Sequence, residues 1–258
     1  MLLAIDSGNT NAVFAVYDGD TLRAAWRISS NSRRTADEYA IWLTQLLALA
    51  GLKPGDLDAA IIGNVVPDAM FNLTQLCQRY LNCEPLVVGR PECRVGIGID
   101  VDMPSQDVGA DRVANAVAAR DRYHPPLVVV DFGTATNFDV VDRNGNYCGG
   151  VIAPGPNLSL QALEMAAAQL PHVALVRPPS VVGRSTVPAM QSGVFWGYVG
   201  LVEGIVRRIR EERGESMAII ATGGLAPLFA RATEVIERVD PDLTLWGLRL
   251  IYRCNSNR

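Results

Sequence analysis

The sequence predicts a duplicated α/β fold: two lobes, each a three-stranded antiparallel meander extended by parallel strands, with helices on both faces. Three observations carry this. First, residues 127–130 are an unbroken apolar, mostly β-branched run, the signature of a strand buried on both faces, and the run ends on Asp131. Second, a small-residue turn (Gly133, Thr134, Ala135, Thr136) leads into Phe138–Val141. Asn144-Gly145 then gives a hairpin signal, and Tyr147–Ala153 returns. Third, the N-terminus repeats the plan. Leu2–Ile5 ends on Asp6, Gly8-Asn9-Thr10 turns, Ala12–Tyr17 is a strand, Asp18-Gly19 turns again, and Thr21–Ile28 returns. Asp6 and Asp131, like Gly8 and Gly133, stand 125 residues apart in a chain of 258, so two copies fill it.

The remaining elements follow in order. Asp37–Ala50 is helical, with Tyr39, Leu43, Leu46 and Leu47 on one face and Gly51 ending it. Ala59–Ile62 is a short strand, and Pro67-Asp68 opens a helix carrying Phe71, Leu73, Leu76 and Tyr80. Leu86–Val88 is a fifth strand, followed by a Gly-, Pro- and charge-rich loop over 91–107. Asp107–Tyr123 reads as a helix with Asp107 as its N-cap, and Pro125-Pro126 breaks it before the second repeat. The lobes are therefore 1–115 and 116–258. In the second, Ser159–Leu170 and Gln191–Glu212 are helices separated by an irregular segment. Ala218–Ala221 is a strand stopping at Thr222-Gly223-Gly224, and Leu225–Ala232 and Leu243–Tyr252 close the chain as helices.

Composition narrows the function. A chain 49% hydrophobic buries a large core, while a net charge of −4 without a long basic run gives no electrostatic case for nucleic acid or an anionic membrane. A small-molecule partner is expected. Five cysteines without a CxxC pair read as reduced thiols of a cytoplasmic protein, and the opening MLLAIDSG offers no signal peptide or membrane span.

Asp6 and Asp131 each stand at the carboxyl end of a buried strand beside a glycine turn, where a carboxylate can hold a metal ion or order a water. A lone turn aspartate more often serves its own backbone; two matched copies favour function. Gly8, Asn9, Thr10, Gly133 and Thr134 can cradle phosphates through N–H groups and hydroxyls. The turn runs into a hairpin rather than a helix, which separates it from Rossmann and P-loop sites. Gly109-Ala110-Asp111-Arg112 opens a helix, whose free N–H groups and positive potential suit an acidic substrate. Arg112 can add a bidentate bond to a carboxylate, and Asp111 can accept an alcohol proton. Read alone, this tetrapeptide favours an ordinary first turn, with Asp111 balancing the helix dipole and Arg112 on the surface. His124 and His172 read as helix-end residues, the four tryptophans as core or interface packing, and Arg207, Arg208 and Arg210 as a solvated face.

The combination of DSGNTN at Asp6, VGADR at Val108, DFGTATNFDVVD at Asp131, GGVIAPG at Gly149, GRSTVPAMQSG at Gly183 and ATGGLAPL at Ala221 resembles type III pantothenate kinase. That family belongs to the acetate and sugar kinase, Hsp70 and actin superfamily, and the match runs nearly end to end. The resemblance implies the two-domain ribonuclease H-like, actin-like ATPase fold. It further implies transfer of the ATP γ-phosphoryl group to the primary hydroxyl of pantothenate, the first committed step of coenzyme A synthesis. Carried over residue by residue, Asp6, Gly8, Asn9 and Thr10 hold Mg-ATP phosphates, with Asp6 reaching Mg²⁺ through water, and Gly133 and Thr134 meet the nucleotide. Asp131 binds a monovalent cation, K⁺ or NH₄⁺. Asp111 is the general base, Gly109, Ala110 and Arg112 bind pantothenate with it, and Thr186 contacts pantothenate near the interface of a homodimer. Two features depart from the family pattern: VDMPSQD before VGADR is a residue longer and lacks a tyrosine, and Gly63-Asn64 stands where two serines are usual. The alternatives are a catalytically silent relative acting as an accessory protein, and a kinase for another small hydroxy acid.

Overall fold

In the computed structural model, which describes residues 1–166, 171 and 173–256, each repeated aspartate lies near the carboxyl end of the central strand of a five-stranded mixed sheet. The first sheet has the order β3-β2-β1-β4-β5, from β1 (Leu2–Ser7), β2 (Asn11–Asp18), β3 (Thr21–Ser29), β4 (Ala59–Asn64) and β5 (Leu86–Val87). The second has β6 (Leu127–Phe132), β7 (Ala135–Val141), β8 (Tyr147–Pro154), β9 (Ala218–Thr222) and β10 (Arg238–Val239), ordered β8-β7-β6-β9-β10. In both, the meander is antiparallel and the fourth and fifth strands are parallel to the first. The duplication expected from the sequence is thus one of topology.

Met1–Asp121 with Asp242–Arg258 form one compact unit, and Arg122–Pro241 form the other. A single cut after residue 115 differs from this division in two places. Residues 116–121 stay with the first unit, because they continue the helix α3 (Ala110–Arg122). Helix α7 (Leu243–Ser256), last in the chain, also belongs to the first unit, where it packs on β1 and β4.

The first core forms where β1, β2 and β4 meet α1 (Ala36–Leu49) and α2 (Met70–Tyr80). The first of these helices starts cleanly because Thr35 and Glu38 make a capping box, each side chain bonding the other's backbone N–H. Its buried face, with Tyr39, Leu43 and Leu47, meets Phe14 of β2, whose ring also packs edge-on with Trp42 at 5.0 Å. Each such side chain contributes on the order of 2 kcal/mol through removal from water. In the second unit, Phe132, Phe195 and Tyr198 gather around Phe229, with Phe132 stacked on it at 5.0 Å. Here the helices α4 (Pro156–Ala166), α5 (Thr186–Arg213) and α6 (Ala226–Ala230) complete the layers.

Some boundaries move. Asp107 is not a helix cap: it closes a single turn over Ser105–Asp107, and α3 begins at Ala110, with the Gly109 carbonyl accepting the Val113 N–H at 3.1 Å. Helix α5 begins five residues before Gln191, so Thr186 lies in its first turn, because a proline in that turn has no helical N–H bond to lose. Helix α4 begins at Pro156, and the expected end at Leu170, like His172, falls outside the described residues.

Close packing rests on small residues. A Cβ at Gly247 of α7 would fall 1.9 Å from the Ala114 carbonyl oxygen of α3, whereas one at Gly193 on α5 would meet nothing within 4 Å. Gly247→Ala is therefore expected to cost at least about 1–3 kcal/mol of stability, and Gly193→Ala to add up to about 1 kcal/mol. Urea denaturation followed by circular dichroism measures both.

Candidate active site

The first loop is braced at both ends. The Gly8 N–H donates to the Asn11 carbonyl at 3.0 Å, the Ser30 N–H donates to the Thr10 carbonyl at 2.9 Å, and the Ser30 hydroxyl donates to the Gly8 carbonyl. This leaves Asn9 and Thr10 exposed at the tip. Asp6, half-buried below it, pairs in register with Gly63 of the parallel strand β4, and the Val65 N–H extends that pairing to the Ser7 carbonyl at 3.0 Å. At Gly63 the absent side chain matters: a Cβ there would come to 2.9 Å of Leu248 Cδ2 and 3.7 Å of Ala110 Cβ. The end of β4, the start of α3 and the middle of α7 therefore converge beside Asp6.

At that start of α3, Asp111 Oδ1 accepts the Arg112 N–H at 2.8 Å. A Cβ on Gly109 would lie 2.7 Å from the same oxygen, so the glycine lets the carboxylate fold back over the helix end. Burial raises the Asp111 pKa above the ordinary aspartate value; the Arg112 N–H and the Arg112 charge pull the other way and do not prevail. The result is a carboxyl readier to take a proton than an exposed one. One helical turn on, buried Asn115 accepts a bond from the Thr244 hydroxyl of α7 at 2.7 Å.

The second loop is built by glycines. The Gly133 N–H donates to the Ala135 carbonyl and the Gly155 N–H to the Thr134 carbonyl, both at 2.9 Å. A Cβ on Gly155 would sit 2.3 Å from the Thr134 oxygen and 2.5 Å from the Gly133 oxygen. Asp131 pairs with Thr222 of β9, the position Gly63 holds beside Asp6. Gly223, at φ +90, completes the cradle: a Cβ there would be 2.7 Å from Asp131 Oδ1 and 2.6 Å from the Phe132 carbonyl oxygen. Asp131 Oδ1 and the Phe132 carbonyl oxygen thus both face the open side of Gly223, and carboxylate and carbonyl oxygens are the donors that hard cations accept. Among the described residues no three His, Cys, Asp or Glu side chains cluster as a metal site.

The structure thus groups Asp6, Gly8, Asn9 and Thr10 with the Gly109–Arg112 turn in the first unit, and Asp131, Gly133 and Thr134 with Gly223 and Gly155 in the second. Thr186 stands apart at the exposed first turn of α5. Sequence reasoning missed Ser30, Gly155, Asn115 and Thr244. Only Gly155 had a signal, as the last residue of GGVIAPG.

These sheets and loops define the class: a two-unit protein of the ribonuclease H-like, actin-like ATPase fold. A candidate 2-dehydro-3-deoxygalactonokinase of Sinorhizobium meliloti matches with a TM-score of 0.63 over 100% of this chain and 98% of that one, at 12% identity. A candidate Baf family transcriptional activator of Campylobacter jejuni matches with a TM-score of 0.60 over 99% and 100%, at 22% identity. Such identities speak to the fold alone. Sequence comparison goes further: the family model for type III pantothenate kinase matches residues 2–208, and a curated type III pantothenate kinase of Paramagnetospirillum magneticum is 65% identical, covering 99% of this chain and 98% of that one. The chain belongs to the type III pantothenate kinase family.

Substitution of Gly223 by Ala is expected to push the Asp131 carboxylate out of place and to reduce kcat at least about tenfold, since an ångström-scale displacement near a site costs up to about 100-fold even away from the reacting atoms. Steady-state kinetics beside a melting curve checks this. An unaltered kcat in the folded variant would remove Asp131 from the site.

Proposed function

We propose that Asp111 is the base for phosphoryl transfer from ATP to the primary hydroxyl of pantothenate. The overall activity, ATP-dependent phosphorylation of pantothenate in coenzyme A biosynthesis, follows from family membership. The observation that carries the residue assignment is the carboxyl of Asp111, half-buried at the glycine-capped start of α3 and raised in pKa by that burial. Arg112 and the free N–H groups of Gly109 and Ala110 receive the pantothenate carboxylate or its neighbouring polar groups. As the hydroxyl oxygen bonds to the γ-phosphorus, its proton passes to Asp111. The bond from that phosphorus to the β,γ-bridging oxygen breaks, and ADP leaves with the electron pair.

Gly8, Asn9, Thr10, Gly133 and Thr134 supply the phosphate contacts. A kinase of this fold takes ATP with a divalent metal; here we assign Mg²⁺, which Asp6 would hold through water and which would neutralise phosphate charge. Asp131, with the Phe132 carbonyl oxygen beside Gly223, would hold K⁺ or NH₄⁺. Thr186 is assigned to pantothenate binding. The second unit leaves the apolar side chains of Ile152, Leu158, Met165, Val181 and Val182 exposed, and exposed apolar surface is what a subunit contact covers. We assign these residues to the homodimer contact. The five free thiols support a reducing, cytoplasmic setting, and among the described residues no helix is long and apolar enough to cross a membrane.

ADP release is expected to require pantothenate and to be faster in K⁺ than in Na⁺ buffer; equal rates in both would remove the monovalent cation from the scheme. Asp111→Asn is expected to keep ATP binding and lose at least about 100-fold in kcat. In the wild type the rate falls as the pH drops through the raised Asp111 pKa, above where an ordinary aspartate would protonate. The stability effect has the opposite sign. A carboxyl with a raised folded pKa destabilises the fold once pH rises past its unfolded value, so Asp111→Asn should melt at a higher temperature near neutral pH. A variant that kept its rate would exclude Asp111 as the base. For the dimer, light scattering should report two chains in the wild type and one in Met165→Lys.

A further inference from the structure

A cavity of about 490 Å³ opens in the first unit, remote from the catalytic turn. It lies among Val95–Ile97 of the long loop, Val117–Asp121 at the far end of α3, and Leu250–Cys254 at the end of α7. Arg120 is nine residues beyond Asp111 on the same helix, about 13 Å at the rise of an α-helix, so this is a second place on the molecule.

Its chemistry is mixed in a specific way. Val95, Ile97, Val117 and Leu250 give it aliphatic walls, while Arg120 and Arg253 bring guanidinium groups to them. Arg120 is held in place, its Nη1 donating to the Gly96 carbonyl at 3.1 Å. The charge of Arg253 is felt by neighbouring Arg249, whose pKa is lowered chiefly by burial and then by Arg253. The acidic lining residue is Asp121, and its Oδ2 already accepts the Trp246 indole N–H at 2.8 Å. An occupant that answers all of these features has a negative head for the guanidiniums and a short apolar tail for the walls.

We propose that this cavity binds a small organic anion, a carboxylate or phosphate monoester on a short aliphatic chain. Its walls include the loop that leads into Gly109 and the helix that carries Asp111, so an occupant there would touch the elements that present the base without entering the catalytic turn.

Cys254, the exposed cysteine at the rim, provides the test. Its thiolate attacks the methylene carbon of iodoacetate or iodoacetamide, forming a thioether and expelling iodide. The two reagents differ in charge, and the full-length protein is labelled with each while peptide mass spectrometry follows Cys254 and, as reference, Cys148. Iodoacetate is expected to be favoured at Cys254, and Arg253→Gln to lower the iodoacetate-to-iodoacetamide rate ratio about two- to fivefold, as for loss of an exposed charge interaction. Arg253→Lys, which keeps the charge, should retain most of it. Millimolar hexanoate and butyl phosphate are then used separately as protecting anions. Protection by one alone identifies the head group, and protection by both establishes the shared class. A ratio unchanged in Arg253→Gln, protection by neither anion, or equal protection by inorganic phosphate without a tail would overturn the proposal.

Discussion

The first unit depends on the contact between Gly247 and Ala114, where α7 and α3 approach so closely that no side chain fits between them. Helices that touch backbone to backbone are fixed in register, because sliding by a residue would bring a Cβ into the contact. Leu248, the next residue, fills the space that Gly63 leaves at the end of β4, and Thr244, one turn earlier, bonds Asn115. One helix thus settles the position of the strand beside Asp6 and of the helix that presents Asp111. Its own position is further held by buried Arg249, which donates to the Gly19 carbonyl at 2.9 Å, pairs with Asp20 and lies over the Trp246 ring at 4.3 Å. A buried guanidinium is costly to desolvate, and these partners, two of them in the turn between β2 and β3, offset that cost.

The two units share a topology and use it differently. In both, an aspartate lies near the end of the central strand and a small residue of the neighbouring parallel strand stands next to it: Gly63 beside Asp6, Thr222 beside Asp131. In the first unit that smallness makes room for two helices, one carrying a titratable group. In the second, Gly223 brings backbone up to the carboxylate and Gly155 brings it up to the loop. The first turn is braced by a serine hydroxyl, the second by close backbone packing. Duplication has therefore supplied a common carboxylate and turn, and the elements added to each copy give them different surroundings.

Much of this is legible in the residues. The apolar runs ending on Asp6 and Asp131, followed by glycine turns and hairpins, specify local geometry, and local geometry is what short-range sequence records best. The chemical groups of the site are legible for the same reason, since most sit in or beside a strand-end turn. What escapes is long-range or ambiguous. Nothing near Leu243 says that α7 packs on strands in the first quarter of the chain, and nothing near Ser30 says that its hydroxyl reaches back to Gly8. Asp107 reads as a helix cap because aspartate is a good one, but the chain spends it on a separate turn and starts the helix after Gly109. Pro188 reads as part of an irregular segment, yet in the first turn of α5 it costs no hydrogen bond.

The allegiance of α7 also has a consequence for synthesis. The chain leaves the ribosome from its N-terminus, and a domain made of contiguous residues can fold as soon as it emerges. The first unit is not contiguous: residues from Asp242 onward belong to it, and the whole of Arg122–Pro241 is made in between. The second unit is therefore the one able to finish first. Until α7 arrives, the flank of β4 and the face of α3 that it covers lack their partner, and exposed apolar surface of that kind is where incomplete chains associate.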